Sequence, residues 1–173
     1  MNLIVTCSRH LEEEASDEIS KLLGEMGDDS PKTGHSRFSG IVVVNTKIDP
    51  FEAVRNIKAK ILDEPWSMRY CHRFIPVQES TKTTLGGIVD AVQKRLTIMS
   101  PDDTYRITVE KRGSDQSTKE IIDAIAKIVP NKVSLEKYDW NLVVEILGDI
   151  AGISILKESD IVSTLKTKRD SSE

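Results

Sequence analysis

The chain is poor in aromatic residues, which make up 5% of its 173 positions. Rows of base-stacking rings of the RNP type are therefore not expected, and any nucleic acid it holds would be held through phosphate and shape. Cysteine is scarcer still: Cys7 and Cys71 make no disulfide framework and suit a reduced, intracellular setting. No apolar run approaches the roughly 20 residues that span a bilayer. "MNLIVTCSRHLEEE" has neither a basic leader nor a long apolar stretch, so a soluble cytoplasmic protein is expected, with no membrane partner.

Catalytic signatures are missing as well. His10, His35 and His72 are scattered and flank no cysteine pair, so no zinc spacing is present and no metal is expected. There is no Gly-rich loop ending in Lys-Ser/Thr, no G-x-G-x-x-G after a strand, and no nucleophile elbow or kinase signature. Asp102-Asp103 follows a proline, where Asp serves local turn bonding. The expectation is a protein that is not an enzyme and carries no cofactor. Gly86-Gly87 in "TTLGGIVDAV" admits two readings, close helix packing or approach of a phosphate to a helix start.

What is present is regular alternation of strands and helices. "NLIVTC", "GIVVVNT" and "MRYCHRFIPV" read as strands. Between them lie a helix striped by Leu11, Ala15, Ile19, Leu22 and Leu23, and another opened by Asp49-Pro50. This β-α-β-α-β run over residues 1–78 forms an abbreviated ferredoxin-like unit. After a polar joint, "QESTKTT", residues 79–162 read as α-β-α-β-β-β, with a hairpin turning at Gly148-Asp149. Residues 163–173, "STLKTKRDSSE", lack apolar periodicity and read as a flexible tail. The fold class expected is α+β.

Charge is unevenly spread. The total is −4, yet residues 66–119 carry 9 Lys and Arg against 6 Asp and Glu. A local cationic field can hold a polyanion on an acidic protein. In "MRYCHRFI" alternation puts Met68, Tyr70, His72 and Phe74 on one face, leaving Arg69, Cys71 and Arg73 on the other. In "YRITVEKRG" it turns Tyr105, Ile107 and Val109 inward and Arg106 outward. Lys111 and Arg112 end that strand, Gly113 allows a positive-φ turn, and Ser117 with Glu120 caps the next helix, which carries Lys119. Lys82 completes a candidate RNA-binding set of Arg112, Lys111, Arg73, Lys82, Lys119, Arg69 and Arg106. For Arg69 and Arg106 a solvated sheet face or an ion pair with Glu79 or Glu110 is the competing reading. The set works only if its cations gather on one surface. Trp140 reads either as a lid on the core or as a base stacker.

The succession "YRITVEKRG", "STKEIIDAIAKIV" and "KVSLEKYDWNLVVEILGDIAGISIL" resembles the THUMP domain, whose pattern pairs a strand ending in two cations with a "VEI-x-G-x-x-G-x-S" hairpin. "RFIPV" leading into "TKTTLGGI" is similar to the stand-alone THUMP proteins that assist tRNA cytidine acetylation. The loop before the hairpin departs from the family's Asn-Pro-Asp, keeping only Asp139 in "KYDW". The resemblance implies a tRNA-binding adaptor, with tRNA and a separate tRNA acetyltransferase as partners and a D-arm cytidine as the modified base. The alternative is a protein-binding scaffold that does not touch RNA.

Overall fold

The computed structural model describes residues 1–172 and divides into two compact α+β units. One comprises Met1–Pro76 together with the segment from Ser159 onward, and the other is Val77–Glu158. Among the described residues no helix is long and apolar enough to cross a membrane.

The first unit runs β1 (Leu3–Cys7), α1 (Glu12–Glu25), β2 (Lys32–His35), β3 (Ile41–Asn45), α2 (Pro50–Asp63) and β4 (Cys71–Pro76). That is the full β-α-β-β-α-β order of a ferredoxin-like unit, not the abbreviated one. The missed strand, β2, is "KTGH", which has no apolar alternation. It is an edge strand held by backbone pairing with β3, from Lys32 opposite Asn45 to His35 opposite Val42.

Helix starts follow local chemistry. Asp49 Oδ1 accepts the Phe51 and Glu52 amides at 2.8 and 3.1 Å, and Pro50 occupies the first turn. Glu12, Glu13 and Glu14 fill the first turn of α1, where a helix dipole favours anions. Ile19, Leu23, Val54, Ile57 and Ile61 pack with Leu3, Val5, Val42, Val44 and Phe74 into one core.

Cys71 corrects the alternation expected for β4. Thr6 pairs with Arg73 but Cys7 pairs with Cys71, so His72 is the extra residue of a β-bulge. The bulge resets the period, and Cys71 joins Phe74 in the core at 1% exposure. Burial pushes its thiol pKa up. Glu18 orders the entry to the bulge by accepting the amides of Arg69, Tyr70 and Cys71 at 2.9–3.0 Å.

The C-terminal segment is not a flexible tail. Val162 and Ser163 form β10 beside Phe74 and Arg73 of β4, giving the antiparallel order β10-β4-β1-β3-β2. Ser163 then caps α5 (Thr164–Ser171), which packs on α2. Polar side chains make the anchor: Thr164 Oγ1 donates to Cys71 O at 2.8 Å, and Lys168 Nζ donates to Met68 O at 2.8 Å. Apolar periodicity could not reveal such a helix. The second unit accordingly ends at Glu158 and not at residue 162.

The second unit runs β5 (Glu79–Lys82), α3 (Leu85–Gln93), β6 (Thr104–Arg112), α4 (Thr118–Ile128), β7 (Lys132–Val133), β8 (Trp140–Leu147) and β9 (Ile150–Leu156). The expected polar joint is strand β5, again an edge, paired antiparallel with β9. The sheet order is β5-β9-β8-β6-β7, with β6 parallel to β8. A parallel neighbour needs a crossover, and α4 supplies it. Ile88, Val92, Ile121 and Ile125 of the helices pack on Tyr105, Leu142, Val144, Ile146, Ile153 and Ile155 of the sheet.

Candidate nucleic-acid interface

Pairing in the second unit brings several chain ends together. Gly148 N donates to Arg112 O at 2.8 Å, so the end of β6 lies against the β8–β9 turn. Thr83 N donates to Asp149 O at 2.9 Å, so the end of β5 lies against the same turn. Helix α3 starts immediately after β5, capped by Thr84 Oγ1 accepting the Gly87 amide at 3.0 Å. Helix α4 starts soon after β6, capped by Ser117 Oγ accepting the Glu120 amide at 3.3 Å. One end of the sheet therefore gathers two strand ends, a hairpin turn and two helix N-termini, whose dipoles favour anions.

Lys82, Lys111, Arg112 and Lys119 come to this end. Lys82 is exposed and closes β5 opposite Ile150. Lys119, also exposed, sits in the first turn of α4. Lys111 is exposed and donates one N–H to Gln116 O at 2.9 Å, closing the loop around Gly113 and leaving further ammonium protons to solvent or a ligand. Gly113 takes φ 64°, the turn for which a glycine suits this position. Asp115 and Asp149 share the region, so the cations there are not unopposed.

Arg112 differs from its neighbour. Alternation along β6 puts it on the sheet face opposite Lys111, and its Nη1 donates to Glu145 Oε2 at 2.8 Å. Its charge is matched by a buried carboxylate on β8. Arg106 lies near the other end of β6, donating to Leu135 O at 3.4 Å with its guanidinium 5.8 Å from the Tyr138 ring centre. It is outside the cluster, and its contacts are neither of the ion pairs weighed for it. Glu79 is instead the partner of Arg95, at 2.9 Å. Arg69 and Arg73 are exposed residues of the first unit.

Of the glycine pair, only Gly87 is required by packing. A Cβ on Gly87 would meet Thr81 Oγ1 at 2.6 Å, Thr84 Oγ1 at 2.9 Å and Lys82 O at 3.0 Å, so Gly87 lets α3 pack on β5. A Cβ on Gly86 would meet nothing within 4 Å. Trp140 is a lid: it packs against the core, its Nε1 donates to Asp103 Oδ2 at 2.9 Å, and Lys157 Nζ lies 4.4 Å from its ring centre. Asp103 is a local turn acceptor, also taking the Ser100 amide at 2.8 Å. The Trp140 bond, with the Ser100 amide, holds its carboxyl pKa below the usual value.

The geometry defines a two-unit α+β protein whose second sheet presents cations and helix N-termini at one end. Residues 88–156 match the family model of the THUMP domain. No curated protein matches the chain in sequence. Among solved structures, it is similar to PH1313 from Pyrococcus horikoshii Ot3 at 14% identity and a TM-score of 0.63, over 91% of this chain and 55% of that one. It is similar to TrmN from Thermus thermophilus at 12% identity and a TM-score of 0.56, over 90% of this chain and 45% of that one. A 4-thiouridine synthetase solved with RNA and bound ATP aligns at 11% identity and a TM-score of 0.52, over 94% of this chain and 42% of that one. At these identities the likeness is one of fold. The chain spans 42–55% of the length of these three proteins.

Proposed function

We propose that this chain is a non-catalytic adaptor that binds tRNA and presents it to a separate modifying enzyme. The resemblance in the sequence favours a tRNA cytidine acetyltransferase acting on the D-arm as that enzyme. The observation that carries the RNA-binding part is the meeting of Lys82, Lys111 and Lys119 with the N-termini of α3 and α4 at one end of the second unit's sheet. Ammonium groups beside helix N–H groups suit phosphate oxygens and read no base. The likeness in fold to a synthetase solved with RNA supports the same reading.

Purified chain is titrated with unmodified tRNA over a range of salt concentrations. Capture through phosphates gives a log–log decline of affinity with salt, and an affinity that does not change with salt would refute it. The adaptor step is tested by supplying tRNA and an acetyl donor to the chain alone, to the acetyltransferase alone, and to both. Acetylcytidine should require the enzyme and rise with the chain. Product from the chain alone would refute the adaptor reading.

A further inference from the structure

The two cysteines of the chain meet in the first unit. Cys7 ends β1 and lies directly opposite Cys71, the first residue of β4. Both belong to the same core cluster, so their side chains leave the sheet on one face. Directly opposed residues of antiparallel strands lie about 4.5–5.5 Å apart at Cα, inside the roughly 4.4–6.8 Å that a disulfide spans. Both thiols are free.

Each backbone is held where it stands. Cys7 N donates to Gly40 O at 2.9 Å. Cys71 N donates to Glu18 Oε1 at 2.9 Å, its carbonyl accepts the Thr164 hydroxyl at 2.8 Å, and its Sγ donates to Ala15 O at 3.4 Å. Cys71 thereby ties β4 to α1 and α5. Access differs between the two: Cys7 is 9% exposed and Cys71 1%. A small oxidant reaches the pair through Cys7, and Cys71 is shielded from any thiol of another molecule. Burial, helped by Glu12 and Glu14 at Cys7 and by Glu18 at Cys71, pushes both thiol pKa values up. Neither is an activated thiolate at neutral pH, so the pair stays reduced until oxidant is in excess.

We propose that Cys7 and Cys71 form a redox-sensitive lock, in which a hydroperoxide joins the facing thiols in a disulfide that fastens β1 to β4 at the His72 bulge. The lock does not depend on whether the chain binds RNA. With hydrogen peroxide, the Cys7 sulfur attacks one oxygen, the O–O bond breaks, and Cys7 becomes a sulfenic acid as water leaves. The Cys71 sulfur then displaces the hydroxyl from the Cys7 sulfur, forming the S–S bond and releasing a second water. The two thiols together lose two hydrogens and two electrons, and the peroxide is reduced to two waters. Closing the loop between residues 7 and 71 restrains the unfolded chain and favours the fold. A dithiol reductant reverses the bond by exchange.

The full chain, folded at neutral pH, is treated with hydrogen peroxide, quenched and mapped by peptide mass spectrometry. The peptides holding Cys7 and Cys71 should be joined to each other within one chain, and dithiothreitol should release them. The oxidised chain should unfold at a higher denaturant concentration than the reduced chain. Cys7→Ser, at the more accessible of the two positions, should leave Cys71 a free thiol under the same treatment. Two free cysteines after treatment, oxygen stably added to either cysteine without a cross-link, or a bond between two chains would each overturn the proposal. So would a disulfide that forms only once denaturant has unfolded the chain, or one that fails to raise the unfolding midpoint.

Discussion

Arg112 and Glu145 face each other across neighbouring strands of the second unit's sheet, with Nη1 and Oε2 2.8 Å apart. The carboxylate side chain is 3% exposed and the guanidinium 26%, so the pair is mostly withdrawn from water. Breaking such a pair from one side is costly, because the remaining charge keeps its desolvation penalty. Arg112→Ala should therefore lower unfolding stability by about 2–4 kcal/mol. Lys111→Ala, at an exposed position, should change it by less than about 0.5 kcal/mol. Denaturant unfolding of the two variants checks the contrast, and equal effects would rule out a structural role for Arg112.

RNA binding should sort the same residues differently. Removing one phosphate contact lowers the magnitude of the log–log salt slope by about 0.7–0.9. Lys111→Ala and Lys119→Ala should each do so, weakening different tRNAs alike. Arg106→Ala, whose side chain is occupied near Leu135 and Tyr138, should leave the slope unchanged. A slope insensitive to Lys111 and Lys119 would place the phosphate contacts elsewhere.

Much of this geometry was legible in the chain itself. The capped starts at Asp49 and Ser117, the turn at Gly148 and the inward face of Tyr105, Ile107 and Val109 follow from local rules. What escaped was held by other forces. Strands β2 and β5 are polar edges whose pairing is carried by backbone groups, leaving no mark in the side-chain pattern. Helix α5 is tied down by Thr164 and Lys168, which donate to the carbonyls of Cys71 and Met68. The bulge at His72 shifts the period by one residue, which alternation alone cannot foresee. Arg112 looked like a ligand cation because Glu145 lies 33 positions away in sequence.

The adjacent glycines should respond oppositely to one methyl group. Gly87→Ala pushes a Cβ against Thr81, Thr84 and the Lys82 carbonyl, and displaces the hydroxyl that caps α3. Loss of such a cap costs about 1 kcal/mol, before any strain in β5. Gly86→Ala meets open space in the first turn of α3 and should stabilise by up to about 0.5 kcal/mol, the lower end of the mid-helix gain. Thermal unfolding of both variants reads the difference; a destabilised Gly86→Ala would show that the space beside α3 is not open.

Acid sensitivity should trace in part to Asp28, which is 2% exposed just beyond α1. Its carboxylate accepts the Thr46 hydroxyl at 2.6 Å and the amides of Lys47 and Ser30 at 3.1 and 3.2 Å. The Thr46 bond leads these in holding its pKa below the usual value, because every one of them favours the charged form. A depressed folded pKa means the unfolded chain takes up the proton first as pH falls. The stabilisation is therefore complete above the ordinary aspartate value of about 3.9, and is lost as pH drops from there through the folded value. Asp28→Asn replaces one acceptor oxygen with a donor facing other donors, so it should destabilise the fold at neutral pH. It should also flatten the decline of stability below about pH 4 without abolishing it. Glu12 and Asp103, whose pKa values are likewise lowered, titrate in the same direction. Chemical denaturation at a series of acid pH values distinguishes the cases. Parallel declines for wild type and Asp28→Asn would remove Asp28 from the account of acid unfolding.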